Sequence, residues 1–140
     1  VMSRKIESSA NMKFGVIAVE EFSEFISENL TAVSSVLHKL GCSQENVVIK
    51  HVPTMHDSVV ATQFMAQYTD VDGVIILAPR EQFMANVPLM NGIVQIQIQW
   101  TMVVEIGGYE CAENIVSMIS LQNEMEIGAS DNRGFRSDLC

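Results

Sequence analysis

Short apolar stretches alternate with longer amphipathic ones along this chain. Three of the short stretches are rich in β-branched residues and end at polar residues or proline, which is typical of buried strands. They cover residues 13–19, 47–52 and 73–78. Between the first two, apolar residues recur every three or four positions over 23–40, ahead of Gly41, and this spacing predicts a helix that ends at the glycine.

A second helix follows the second strand. We predict Asp57 as its N-cap, and Val60, Phe64 and Tyr68 lie four residues apart along it. Strands that alternate with helices pair in parallel and carry helices on both faces of the sheet. We therefore predict the α/β class, as one flavodoxin-like, three-layer α/β/α sandwich with a four-stranded, mostly parallel sheet. This domain would cover residues 13–140, and residues 1–12 would be a disordered tail or a cloning remnant.

The stretch after Pro79 carries two signals. Over residues 93–106 isoleucine and Trp100 alternate with glutamine, which is a strand pattern, yet a helix is due after the third strand. We divide the stretch into a helix over 81–97 and a strand over 101–106. A further helix over 111–123 and a loop-like tail over 128–140 complete the prediction.

Composition and charge argue against several classes of function. The 140 residues include 8 Lys+Arg and 17 Asp+Glu, which gives a formal net charge of −9. Few basic residues argue against binding to nucleic acid or to an anionic membrane surface. No apolar run approaches the roughly 18 residues of a spanning helix. Cys42, Cys111 and Cys140 form an odd, unpatterned set, which indicates reduced thiols, and we expect a cytoplasmic protein.

Ligands of doubly wound sheets bind in the loops after the carboxyl ends of the strands. Those loops here cover residues 20–23, 53–57, 78–82 and 107–110. The glycine-rich and nucleophile motifs of dinucleotide, nucleotide-triphosphate and serine-hydrolase sites are missing. His51, His56 and Asp57 have no further ligand at a convincing spacing, so we predict no metal site.

Several segments, in consistent order from residue 13 to residue 135, resemble the lumazine synthase superfamily, which includes the archaeal-type riboflavin synthases. They cover residues 13–26, 51–67, 71–78, 102–110, 111–119 and 132–135. The resemblance implies a site for a planar flavin- or pyrimidine-like ligand, so a bound flavin or lumazine is the ligand expected. It implies as substrate-binding residues Phe22, Ser23, Thr54, Met55, His56, Asp57, Pro79 and Phe83. It also implies a phosphate contact at Arg133 and assembly into a homopentamer or a larger shell.

The loop after the third strand departs from this family. Lumazine synthases carry a catalytic histidine there, whereas this chain has Gln82 in a shortened loop, and glutamine does not exchange protons near neutral pH. One hypothesis is therefore a self-assembling homologue with a vestigial site and little or no catalysis, which we favour. The other is an active riboflavin-biosynthesis transferase, either a 6,7-dimethyl-8-ribityllumazine synthase or an archaeal-type riboflavin synthase. In that case His56, Arg80 or Glu81 would be recruited for proton transfer.

Overall fold

The computed structural model describes residues 9–131. Its strands are β1 (Phe14–Val19), β2 (Val47–Val52), β3 (Gly73–Leu77) and β4 (Val103–Gly107). They form one sheet in the order β2-β1-β3-β4, and each neighbouring pair is parallel. The α/β class is confirmed, and the sheet is wholly parallel in the part of the chain that the structure describes.

In the described part of the chain, five α-helices connect and cover the strands. They are α1 (Ser23–Lys39), α2 (Met55–Tyr68), α3 (Arg80–Met84), α4 (Val87–Trp100) and α5 (Cys111–Asp131). Short 3₁₀ turns precede α1 at Glu20–Phe22 and β2 at Gln44–Asn46. Helices α1 and α5 pack on one face of the sheet, and α2 and α4 pack side by side on the other. None of the described helices has the length and apolar character needed to cross a membrane.

The core consists of two apolar layers, one on each side of the central strands β1 and β3. Every residue of these two strands is buried, because both faces of a parallel sheet are covered by helices. Phe14 and Leu77 belong to the layer under α1 and α5, and Ile17 and Ile76 belong to the layer under α2 and α4. The alternation of sides explains why these strands read as unbroken apolar runs.

The N-cap of α2 differs from the prediction, and the apolar residues spaced by four along this helix lie on its outer side. Thr54, and not Asp57, is the N-cap, and Asp57 occupies the third helical position. The residues spaced by four, Val60, Phe64 and Tyr68, are exposed by 48%, 51% and 72%. They therefore lie on the side of α2 that faces away from the sheet.

The predicted helix over 81–97 is two helices. The chain leaves α3 at Ala85, and the Asn86 side chain accepts a hydrogen bond from the Leu89 N–H (3.3 Å) to begin α4. Pro88 suits that first turn, where its missing N–H costs no helical hydrogen bond. The helical half of the stretch continues to Trp100, and β4 begins at Val103.

The buried part of the chain begins earlier than predicted, and the last helix is longer than predicted. Met12, assigned to the tail, is 2% exposed and belongs to the core, so packing begins before residue 13. Helix α5 continues to Asp131, where a loop from residue 128 was predicted. Arg133 and Cys140 lie outside the described residues. Cys42 and Cys111 are free and buried, and burial raises the pKa of the first thiol to about 11 and of the second to about 12.

Candidate functional site

The loops after β1 and β2 are joined by hydrogen bonds at the carboxyl edge of the sheet. The Glu21 N–H donates to the Pro53 carbonyl (3.1 Å), and the Met55 N–H donates to Oε1 of Glu21 (3.2 Å). The 3₁₀ turn after β1 brings Glu21 to this position, at the first turn of α2. The structure thus brings two of the predicted ligand-binding loops into contact.

A capping box occupies the start of α2. The Thr54 hydroxyl oxygen accepts from the Asp57 N–H (3.3 Å), while Oδ2 of Asp57 accepts from the Thr54 N–H (3.2 Å) and the Thr54 hydroxyl (2.8 Å). Both side chains are therefore committed to the helix end. The carboxylates of Asp57 and Glu21 thus both lie at the N-terminus of α2. A helix N-terminus is otherwise a favourable place for an anionic ligand.

The aromatic and apolar site candidates differ in their access to solvent. Phe22 and Met55 are partly buried against the core layer under α2 and α4. Phe83 belongs to the same layer but is completely buried, so its ring is not available to stack on a ligand at the surface. Pro79, at the N-terminal end of α3, is half-buried. Of the two aromatic site candidates, Phe22 is accessible to solvent and Phe83 is not.

The polar candidates His56, Ser23 and Glu81 are exposed, as is Gln82. The Ser23 carbonyl accepts a hydrogen bond from the Ser27 hydroxyl (3.0 Å) within the first turn of α1. His56 and Glu81 lie on different loops, after β2 and after β3, at the same edge of the sheet.

The charge of Arg80 acts on a carboxylate on β4 that the sequence analysis did not identify. Burial raises the pKa of the half-buried Glu105, while the Arg80 charge and a hydrogen bond with the Asn114 side chain act to lower it. Glu105 is the only charged residue of β4, and this isolation within an apolar strand is the signal that could have identified it. The charge of Arg80 therefore acts on a carboxylate of the same chain.

The loop after β4 is held by a buried amide on α1. The Tyr109 N–H donates to Oδ1 of Asn29 (3.0 Å), and the Gly108 N–H donates to Oε1 of Glu110 (3.0 Å). Gly107 has φ 148°, in the region that glycine adopts readily, and a Cβ on Gly108 would collide with Oδ1 of Asn29. Neither Asn29 nor Glu110 carried a recognisable motif, because their partners are distant in sequence or belong to the backbone.

Negative charge predominates at this edge. Glu20, Glu21, Glu81 and Glu110 are exposed there, and Nδ1 of His51 lies 3.5 Å from Oε1 of Glu20. Among the described residues there is no group of three or more His, Cys, Asp and Glu side chains that could hold a metal ion. This negative charge acts against the binding of an anion such as a phosphate at the edge.

No protein-family model and no curated protein matches the sequence. The resemblance to the lumazine synthase superfamily therefore stays a prediction that rests on short motifs.

Proposed function

We propose that this chain is a self-assembling protein of the lumazine synthase type, with a vestigial site for a planar flavin- or pyrimidine-like ligand and little or no catalysis. Assembly into a homopentamer or a larger shell is the main function in this proposal. The site at the carboxyl edge is a secondary feature.

The observation that carries the proposal is an apolar surface on the solvent side of α2 and α4. We call it the α2/α4 surface, and its members are Val60, Phe64, Tyr68, Val94, Ile98 and Trp100, exposed by between 39% and 75%. Large exposed apolar patches on a small domain mark contacts with other molecules. Helix α4 contains no charged residue, which is unusual for a helix that faces water.

The α2/α4 surface extends across two packed helices. Nε1 of Trp100 donates to Oε1 of Gln63 (3.3 Å), which connects the C-terminal end of α4 to α2. The rings of Phe64 and Tyr68 lie 6.0 Å apart, so they cover one continuous part of α2. A second copy of the chain is the partner that the family resemblance implies for such a surface.

The side chains at the carboxyl edge support the proposal that the chain has little or no catalytic activity. Gln82 cannot transfer protons, and the Asp57 carboxylate is used by the capping box. Loss of one positioned general acid–base group typically costs about 10²- to 10⁴-fold in rate. Binding of a planar ligand against Phe22 does not need such a group.

Native mass spectrometry of the full chain tests the assembly. We expect a pentamer or a larger assembly, and we expect Phe64→Glu together with Ile98→Glu to reduce it to smaller species. Leu121→Asn, at an exposed position on α5, is the control and should leave the number of chains in the assembly unchanged. A monomer for the unmodified chain would overturn the assembly proposal.

Two further measurements test the site. A flavin or lumazine titrated into the protein should bind, and Phe22→Ala should weaken the binding without unfolding the chain. Incubation with the two lumazine synthase substrates should give no product above the uncatalysed rate. Clear turnover would replace this proposal with the active-transferase hypothesis and its candidates His56, Arg80 and Glu81.

A further inference from the structure

A groove beside β4 lies next to the proposed assembly surface and shares only Trp100 with it. β4 is an edge strand, and the groove lies between it, the end of α4 and the outer side of α5. Its volume is about 310 Å³. It shares Thr101, Met102 and Gln122 with a neighbouring hollow of about 210 Å³, so the two form one cleft, which we call the β4 groove.

The apolar wall of the β4 groove comes from one stripe of α5. Met118, Leu121 and Met125 line it and are exposed by 44%, 44% and 66%. Their spacing of three and four residues gives a stripe about 10 Å long at 1.5 Å per residue. Flexible methionine side chains adapt their shape to a partner, and such surfaces are common where helical segments bind.

The backbone at the groove is not free to pair with an added strand. Nε2 of Gln97 donates to the Val104 carbonyl (3.4 Å), and Nε2 of Gln122 donates to the Thr101 carbonyl (3.1 Å). A strand that extended the sheet at this edge would have to displace the first of these bonds. The groove therefore favours a partner that binds through its side chains, as a helix does.

The negative charge of the β4 groove favours a partner helix that carries basic residues. The charged residues that line it are Asp72, Glu105 and Glu126. The Arg80 charge acts on Glu105 from outside the groove, and no Lys or Arg is among the described lining residues. No helix in the described part of this chain carries more than one Lys or Arg, so a second copy does not supply the complementary charge. A helix with an apolar stripe flanked by basic residues does supply it.

We propose that the β4 groove binds a basic amphipathic helix of another protein. Apolar residues of the partner, spaced at i, i+3 or i+4, and i+7, contact Met118, Leu121 and Met125. Its Lys or Arg side chains lie near Glu105 and Glu126. Apart from Trp100, the β4 groove and the α2/α4 surface have no residue in common, so this proposal can be tested separately from the assembly.

A pair of synthetic helical peptides of about 14 residues, or four turns, provides the probe. Both carry the same leucine stripe, and one has lysine where the other has glutamate. Fluorescence anisotropy with the full chain, at physiological salt to suppress long-range attraction, should show the lysine peptide binding at least about tenfold more tightly. Equal affinities for the two peptides would overturn the proposal.

Two variants locate the binding. Leu121→Asn together with Met125→Asn should lower the affinity for the lysine peptide by about tenfold or more. Phe64→Asn, on the α2/α4 surface, should leave this affinity unchanged. Circular dichroism checks that each variant is folded, which we expect because all three side chains are exposed. Equal weakening by Phe64→Asn would show general attraction to an acidic protein and contradict the proposal.

Native mass spectrometry of the same double variant distinguishes a second copy as the occupant. The mass of the assembly should not change when Leu121 and Met125 are replaced. A smaller assembly would show that the β4 groove is a contact between copies, and the proposal of a separate partner would be wrong. Failure of the chain to assemble at all would leave the peptide result unaffected, so the two proposals fail separately.

Discussion

The side chain of Asn29 in α1 joins two segments that are 80 residues apart. Its Oδ1 accepts the Tyr109 N–H (3.0 Å) in the loop after β4, and its Nδ2 donates to the Phe25 carbonyl (2.9 Å). Asn29 is 8% exposed, so neither bond is readily replaced by water. This residue therefore connects the helix layer to one of the loops that form the carboxyl edge.

Replacing Asn29 with alanine should lower the free energy of unfolding by about 1–3 kcal/mol. The substitution leaves the Tyr109 N–H without an acceptor in a partly buried place, and an unsatisfied buried donor carries that cost. Urea denaturation followed by circular dichroism measures the change. Ser27→Ala, at an exposed position two residues earlier in α1, is the control and should change stability by less than about 0.5 kcal/mol. Equal effects of the two substitutions would contradict this role of Asn29.

Gly92 allows α2 and α4 to approach closely. A Cβ at this position would lie 2.9 Å from Cγ1 of Val59, which is closer than such atoms pack. Gly92→Ala should therefore destabilise the fold by about 1–3 kcal/mol, as overpacking typically does. Thermal unfolding measures the loss, and Val59→Ala in the same chain should restore part of it by making room.

Gly128 provides the matched control for Gly92. It lies inside α5 with no atom within 4 Å of an added Cβ, so Gly128→Ala should stabilise the chain by about 0.5–1 kcal/mol through helix propensity. A gain in stability for Gly92→Ala as well would show that the two helices are less closely packed than this contact indicates.

Thr101 adopts a left-handed backbone conformation, with φ 48° and ψ 48°, where α4 ends. A β-branched residue is strained in this region, and glycine is not. Thr101→Gly should therefore raise the free energy of unfolding by about 1 kcal/mol. Thr101→Val is the informative control, because it keeps the branching and the strain. A gain for valine similar to that for glycine would show that the backbone angle is not the cause.

The central strands and the end of α1 could be predicted from the sequence because they depend on local pattern. The central strands were found from their apolar runs, and Gly41 was found as the end of α1, where its φ is 93°. The buried side of α2 was missed because it contains hydroxyl side chains. Thr62 is completely buried, yet its hydroxyl donates to the Ser58 carbonyl (2.8 Å) within the same helix, so this hydroxyl is paired despite its burial.

The candidate site was predicted in outline only. The topology of a parallel sheet was enough to group the loops at one edge. The interactions that affect their chemistry, such as the hydrogen bond of Glu21 with the Met55 N–H or the effect of the Arg80 charge on Glu105, join residues whose separation in sequence carries no motif. The complete burial of Phe83 likewise depends on how α3 packs, which residue type alone does not determine.

Glu105 should give the stability of the fold a specific pH dependence. Burial raises its pKa above the ordinary 4.5, so the folded chain holds this proton more tightly than the unfolded chain does. Stability contributed by the protonated carboxyl is then present below pH 4.5 and is lost as the pH rises through the raised pKa of the folded state. Glu105→Gln removes this loss, so the substitution should be more favourable to stability at pH 7 than at pH 4. Urea denaturation of both chains at the two pH values measures the difference, with Glu113→Gln, at an exposed position on α5, as the control. An effect of Glu105→Gln that was the same at both pH values would mean that the charge of Arg80 and the Asn114 hydrogen bond offset the burial of the carboxylate.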